Sequence, residues 1–431
     1  MKRIIGKTYK MNMQRLTILA LTFLLTGMAW AQLPDKLIVK SETHVVHGRP
    51  YSDGVLVGNT LYLSGQGSAR PDGTMPSDME GEIRQCFENI KNILLGAGMD
   101  MHNVVSAYVF LEDLGQYQLM NSVFREYFPE NPPVRSTLEV GKIPGDSRIE
   151  VQTIAVQDGS DKEILGWKEG QLFSQGIKVN GLLYISGKGS QIPGSGGESH
   201  DLYKHRVRQG ILNVGSVLEM AGLDYSHIVF TNPYIMPPNQ KWEPMNVVYR
   251  QFFRYGSAPA RATITMSDIP GTSSDFELSA IAVTDMRRRQ VIRPISRTPS
   301  ATASPAVMAG DVLYSAGFSG FVPGQGKLMD DFEYQLRQAM RNVQDVLETA
   351  GMTFSNVVNV NVYLRDMDDY AQLNDIYATY FTDGFPSRTT LQPAPDGDES
   401  NSLVQFSIIA VRSATASRPV GGIEKGKSEE H

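Results

Sequence analysis

One phrase occurs three times in this 431-residue chain, at a spacing that constrains the fold more than any other feature. "PVRSTLEV" begins at Pro133, "PARATITM" at Pro259 and "PSRTTLQP" at Pro386, which places Arg135, Arg261 and Arg388 at intervals of 126 and 127 residues. Solenoid repeats are about 20–50 residues long, so this period belongs to whole folding units. Other phrases keep the same register. "LYLSGQGS" (61–68) returns as "LYISGKGS" (183–190) and "LYSAGFSG" (313–320). "LLGAGMDMHNVV" (94–105) returns as "LEMAGLDYSHIV" (218–229) and "LETAGMTFSNVV" (347–358). Each copy closes on an apolar strand ending in "IAV".

Within one copy the order of elements is legible. Strands flank the Ser-Gly phrase, and Ile83, Cys86, Phe87, Ile90, Ile93 and Leu94 then recur at helical spacing. An Ala-Gly pair ends that helix. A strand (104–111), a second helix, the arginine strand and the last strand follow. This order predicts an α+β unit, one mixed sheet with two helices on one face. The expected boundaries are 42–157, 170–284 and 300–412, joined by polar connectors, with a disordered tail over 413–431.

The first 31 residues differ from the rest. Lys2, Arg3, Lys7, Lys10 and Arg15 precede an apolar run that ends in Ala29-Trp30-Ala31, the pattern of a secretory signal peptide. Cleavage after Ala31 predicts a periplasmic or extracellular protein with no stable membrane anchor. It leaves 35 basic against 46 acidic residues, a net charge of −11. Nucleic-acid binding needs a basic face, so it is not expected. The only cysteine, Cys86, excludes a disulfide framework and fits a core position. His44 and His47 have no third ligand nearby in sequence, so no metal is expected. "SGKGSQIPGSGGES" (186–199) lacks phosphate-loop spacing and reads as a β-loop.

"APARATITMSDIP" with "DFELSAIAV", and "PVRSTLEVGKIP" with "RIEVQTIAV", resemble the signature of the RidA (YjgF) family of imine/enamine deaminases, and the likeness covers nearly all of 42–412 in three passes. The resemblance implies a chorismate-mutase-like unit that assembles as trimers, with clefts between subunits and no cofactor. Three units in one chain then imply a monomeric pseudo-trimer. By the same resemblance, Arg135, Arg261 and Arg388 bind a substrate carboxylate, for which a guanidinium fork is suited. Glu150 and Glu277 activate the hydrolytic water. Tyr51, Ser64, Ser186, Asn121 and Asn246 contact the ligand.

The copies are unequal. Gln405 stands where the other two have glutamate, Phe173 and Ala303 stand where the first has Tyr51, and Ala316 replaces the serine. A glutamine can orient water but cannot take its proton. The expectation is therefore at most two hydrolytic clefts, with Arg135, Glu150, Arg261 and Glu277 as catalytic residues and Arg388 as a binding residue. Three activities remain open: hydrolysis of carboxylate-bearing imines to 2-keto acids and ammonia, binding of small carboxylates without turnover, and another hydrolase or lyase reaction on small carboxylates.

Overall fold

The computed structural model describes residues 35–41, 48–237, 241–271, 275–394, 401–413 and 418–420. The proposed signal peptide, His44 and His47 lie outside the described residues, as does most of 413–431.

Short apolar runs rich in β-branched residues, buried on both faces, make the strands, and amphipathic spacing makes the helices, three times over. In the first unit the sheet runs, in spatial order, Lys36–Val39, Gly54–Val57, Thr60–Leu63, Ile149–Val156, Val104–Leu111 and Val134–Glu139. All neighbours are antiparallel except the last pair, where the arginine strand lies parallel to Val104–Leu111. The parallel step needs a crossover, and the helix Tyr117–Tyr127 supplies it. The second and third sheets repeat this order.

The long helices are Met79–Gly96, Tyr203–Met220 and Phe332–Thr349. Asp78 and Asp331 cap two of them by accepting the backbone N–H of Gly81 and Tyr334. Each helix stops at a left-handed glycine, Gly98, Gly222 or Gly351, all at φ +70°. The Met99 N–H then reaches back to the Leu94 carbonyl at 2.9 Å. The helices bury their apolar face on one side of their own sheet, where Cys86 sits fully buried. Among the described residues no helix is long and apolar enough to cross a membrane.

The other face of every sheet contributes to a single shared cluster. Tyr62, Tyr184 and Tyr314, one from each Leu-Tyr phrase, are buried together there with Val105, Val229 and Val358. Each unit also hydrogen-bonds to both of the others. Ser52 N–H donates to Pro386 O, Ser174 N–H to Pro133 O and Ser304 N–H to Pro259 O, at 3.1, 3.2 and 3.0 Å.

The sheets extend past the expected unit boundaries, and both connectors carry strands. Glu163–Leu165 pairs with Gly176–Val179, and Arg289–Ile292 pairs with Ala306–Ala309. Lys36–Val39 does the same for the first unit. Glu163–Leu165 and Arg289–Ile292 stand at the edges of their sheets and are only partly buried there. In the tail, Arg418–Val420 pairs in parallel with Leu37–Val39. Ser186–Gly189, read as loop, forms the end of the strand Leu182–Gly189.

A cation in or next to each of these added strands reaches the neighbouring unit. Lys36 Nζ donates to Ser355 O and Val357 O at 3.0 and 2.7 Å. Lys162 Nζ donates to His102 O at 2.9 Å, and Arg289 Nε to Ile228 O at 3.0 Å. The accepting carbonyls lie at the start of the same strand in each unit or in the 3-10 turn just before it.

Candidate functional site

Each arginine strand meets, at its arginine, the Ser-Gly phrase of another unit, and the pairings follow one direction. Arg388 of the third unit meets the first, Arg135 of the first meets the second, and Arg261 of the second meets the third. The join is made through the backbone. Arg388 N–H donates to Ser64 Oγ at 2.7 Å, and Ser64 Oγ donates onward to Ser52 O at 2.6 Å. Arg135 N–H and Ser186 Oγ repeat this at 2.9 Å, with Ser174 O at 2.6 Å. In the third cleft, where Ala316 has no hydroxyl, Gly317 N–H still donates to Arg261 O at 3.0 Å. Ser64 and Ser186, expected to touch a ligand, thus accept the neighbour's backbone N–H at their hydroxyl oxygens and donate their hydroxyl hydrogens to a carbonyl of their own unit.

The Arg388 cleft is a cavity of about 210 Å³, lined by Arg49, Tyr51, Gly65, Glu150, Tyr370 and Arg388 among others. The Arg388 guanidinium is nearly buried. Its Nη2 donates to Asn374 Oδ1 at 2.7 Å and to the Tyr370 hydroxyl at 3.1 Å, while its buried Nη1 has no partner among the described residues. Tyr51, Tyr370 and Tyr377 rings surround it at 5.0–5.5 Å. Arg49 Nη1 donates to the Tyr51 hydroxyl at 2.7 Å. Burial pushes the Tyr51 phenol up to about 12, with Tyr370 acting in the same direction. Burial likewise pushes the Glu150 carboxyl up to about 8, with Arg388, Arg49 and the Thr390 N–H pulling it back.

Gly65 leaves the room that the carboxyl occupies. A Cβ at residue 65 would overlap Glu150 Oε1. Gly187 stands in the same relation to Glu277, and Gly317 to Gln405.

In the Arg135 cleft, Arg135 is 3% exposed and its guanidinium lies 4.7 Å from the Phe124 ring and 5.2 Å from that of Phe173. Nη2 donates to the Tyr117 hydroxyl at 3.3 Å. Asn121 Oδ1 is buried without a partner among the described residues, unlike its counterparts Asn246 and Asn374, which accept from their arginines. Burial pushes the Glu277 carboxyl up to about 7, opposed by Ser136, Lys188 and Arg135. Lys188 is pushed down to about 8 by burial, against the pull of Glu277.

The Arg261 cleft breaks the pattern. Arg261, expected to be catalytic, shares a cavity of about 410 Å³ with Gln405, Ala303, Ala316, Trp242 and Arg297, and with no glutamate among the described residues. The cause is the direction of pairing, which sets the second unit's arginine against the third unit's last strand. Arg388, expected only to bind, lies instead beside Glu150 and Tyr51. Ala303, in place of Tyr51 or Phe173, leaves no ring at that wall, and this cavity is the larger of the two described.

Sequence reading missed Tyr117, Tyr370, Arg49, Lys188 and Arg297. The two tyrosines each stand 18 residues before their arginine, a recurrence that the repeat alignment carried. Lys188 and Arg297 have no counterpart in the other copies, so repetition gave no signal for them. Among the described residues no cluster of three or more His, Cys, Asp or Glu is arranged to hold a metal.

The model of the family described as Endoribonuclease L-PSP matches the chain three times, over 43–157, 169–284 and 295–411. A RutC family protein of Sulfurisphaera tokodaii is 42% identical over 107 residues, which is 24% of this chain and 86% of the relative. A 2-iminobutanoate/2-iminopropanoate deaminase of Bos taurus is 39% identical over 129 residues, covering 30% of this chain and 93% of the relative. Among solved structures, the E. coli YjgF gene product matches 28% of this chain and 98% of its own, at 32% identity and a TM-score of 0.27. With three matches that together span most of its length, this chain belongs to the Endoribonuclease L-PSP family, the RidA (YjgF) family that its arginine phrase resembles.

Proposed function

We propose that this chain hydrolyses small imines and enamines bearing a carboxylate, at the Arg388 and Arg135 clefts, to a 2-keto acid and ammonia. The observation that carries the reading is the pairing, in one small cavity, of a buried arginine with an unsatisfied Nη1 and a buried glutamate held largely protonated near neutrality. The deaminase name of the relative from Bos taurus supports the same chemistry.

Arg388 grips the carboxylate and sets the imine carbon towards Glu150. The Glu150 carboxyl, with its raised pKa, has a proton to give to the carbon of an enamine, which becomes an iminium cation. That cation favours the carboxylate form of the glutamate beside it. The carboxylate then takes a proton from water as the water oxygen attacks the electrophilic carbon, and collapse of the adduct expels ammonia. Arg135 and Glu277 act alike in the second cleft, under the Phe173 ring. Gln405 denies the third cleft this step.

The test generates 2-iminopropanoate in situ and follows its loss with the purified chain and with the Glu150→Gln, Glu277→Gln double variant. The wild type is expected to accelerate hydrolysis and the double variant to lose about 10²–10⁴-fold. A wild type that binds the carboxylate through its arginines yet gives no acceleration would establish the binding-module reading instead. The proposal extends to the setting of the protein: a monomer whose three units form the clefts internally, exported on the basic-apolar leader. The leader's Ala29-Trp30-Ala31 end supports the second point and the hydrogen bonds among all three units support the first.

A further inference from the structure

The cleft without an acid keeps its arginine and gains another. Arg261 and Arg297 both line the 410 Å³ cavity, and no Asp or Glu lines it among the described residues. The Arg388 cavity, by contrast, sets Asp146 and Glu150 against Arg49 and Arg388. Acids stand beside the cations there, whereas the third cleft holds two cations with no acid among the described residues of its lining.

Neither cation is spent within the protein. Arg261 uses Nη1 on Asn246 Oδ1 at 2.8 Å and stacks 4.9 Å from the Tyr249 ring, with no ion pair among the described residues. The Arg297 guanidinium lies 5.1 Å from the Phe318 ring and makes no hydrogen bond or ion pair among the described residues. Asp345, the acidic group that acts on Arg297, pairs with Arg341 at 3.3 Å. Two half-buried guanidiniums in one cavity repel each other unless an anion sits between them. The space for such an anion comes from Ala303, and Gln405 offers it an amide donor where a carboxylate would repel it.

We infer that the cleft between the second and third units binds a small dicarboxylate without turnover, one carboxylate on Arg261 and the other on Arg297. Planar forks on two different units match two separated carboxylates better than one compact phosphate. The inference rests on the reading that the arginines of these clefts grip carboxylates, and adds that this cleft takes a ligand with two.

Calorimetry on the whole chain with succinate, butyrate and inorganic phosphate as probes tests it, alongside a crystal structure with succinate. Succinate is expected to bind at least tenfold more tightly than either other probe, with its density between Arg261 and Arg297. Arg297→Gln is expected to erase that preference. Gln405→Glu, which adds a negative charge without removing either arginine, is expected to weaken succinate at least tenfold. Equal affinities, tighter phosphate, or a preference that survives both substitutions overturns the inference. Imine hydrolysis by the same preparations separates the two readings. Hydrolysis without succinate preference removes only the third site, and succinate preference without hydrolysis removes only the deaminase.

Discussion

At the scale of single residues, the difference between Glu150 and Gln405 decides what two similar clefts can do. A buried carboxyl whose pKa is raised binds its proton more tightly in the folded than in the unfolded chain. Glu150, pushed up to about 8, therefore makes the fold less stable as pH rises from the ordinary carboxylate range through that value, and Glu277, pushed up to about 7, acts the same way. The wild type is expected to melt at a lower temperature at pH 8 than at pH 5. Glu150→Gln with Glu277→Gln is expected to shrink that difference, and calorimetric scans at the two pH values check it. A wild-type melting temperature that rises towards pH 8 would show these carboxyls to be ionised at little cost. The identity of these residues was legible in the sequence, because repetition aligns 150, 277 and 405. Their partners were not. Which arginine faces which acid depends on the packing of units remote in sequence, and "PARATITM", the phrase nearest the family signature, belongs to the cleft with no acid.

At the scale of elements, the Ser-Gly phrase is a joint more than a contact surface. Ser64→Ala leaves the buried Arg388 N–H without its acceptor, at a cost of about 1–3 kcal/mol, read as a lower midpoint in denaturant. It should shift imine hydrolysis far less than the Glu150 substitution does. An equal loss of activity at unchanged stability would return the serine to the ligand site. Gly65→Ala acts differently. The added methyl overlaps the Glu150 carboxyl, so the Arg388 cleft is expected to lose about 10²-fold or more of its turnover, measured in a Glu277→Gln background that silences the second cleft. Strand and helix order could be read because 104–111 is a short, nearly continuous apolar run and the 3.6 period is strong in 79–96. The edge strands 163–165 and 289–292 could not, since their pairing comes from a hairpin partner and not from their own polar composition.

At the scale of the molecule, every unit is bound to two others, by the arginine joints on one side and by Lys36, Lys162 and Arg289 on the other. Light scattering on the mature chain is expected to give the mass of one copy, whereas a stable trimer would mean that units pair between chains. The arrangement also separates what a ring of identical subunits ties together. In a homotrimer one substitution alters every cleft at once, while here the three clefts can change independently, as Gln405 and Ala303 record.

The contacts of Lys36, Lys162 and Arg289 have a further consequence. Each grips its neighbour whether or not the chain runs continuously between them. The starting point of the polypeptide is then arbitrary as far as the clefts are concerned. A circular permutant opened between residues 159 and 160, with old ends rejoined by a flexible linker, should fold with all three clefts formed from the same residue pairs and with hydrolysis within about threefold of the wild type. Loss of the fold on opening that loop would assign to the covalent thread what these lysine and arginine contacts otherwise hold.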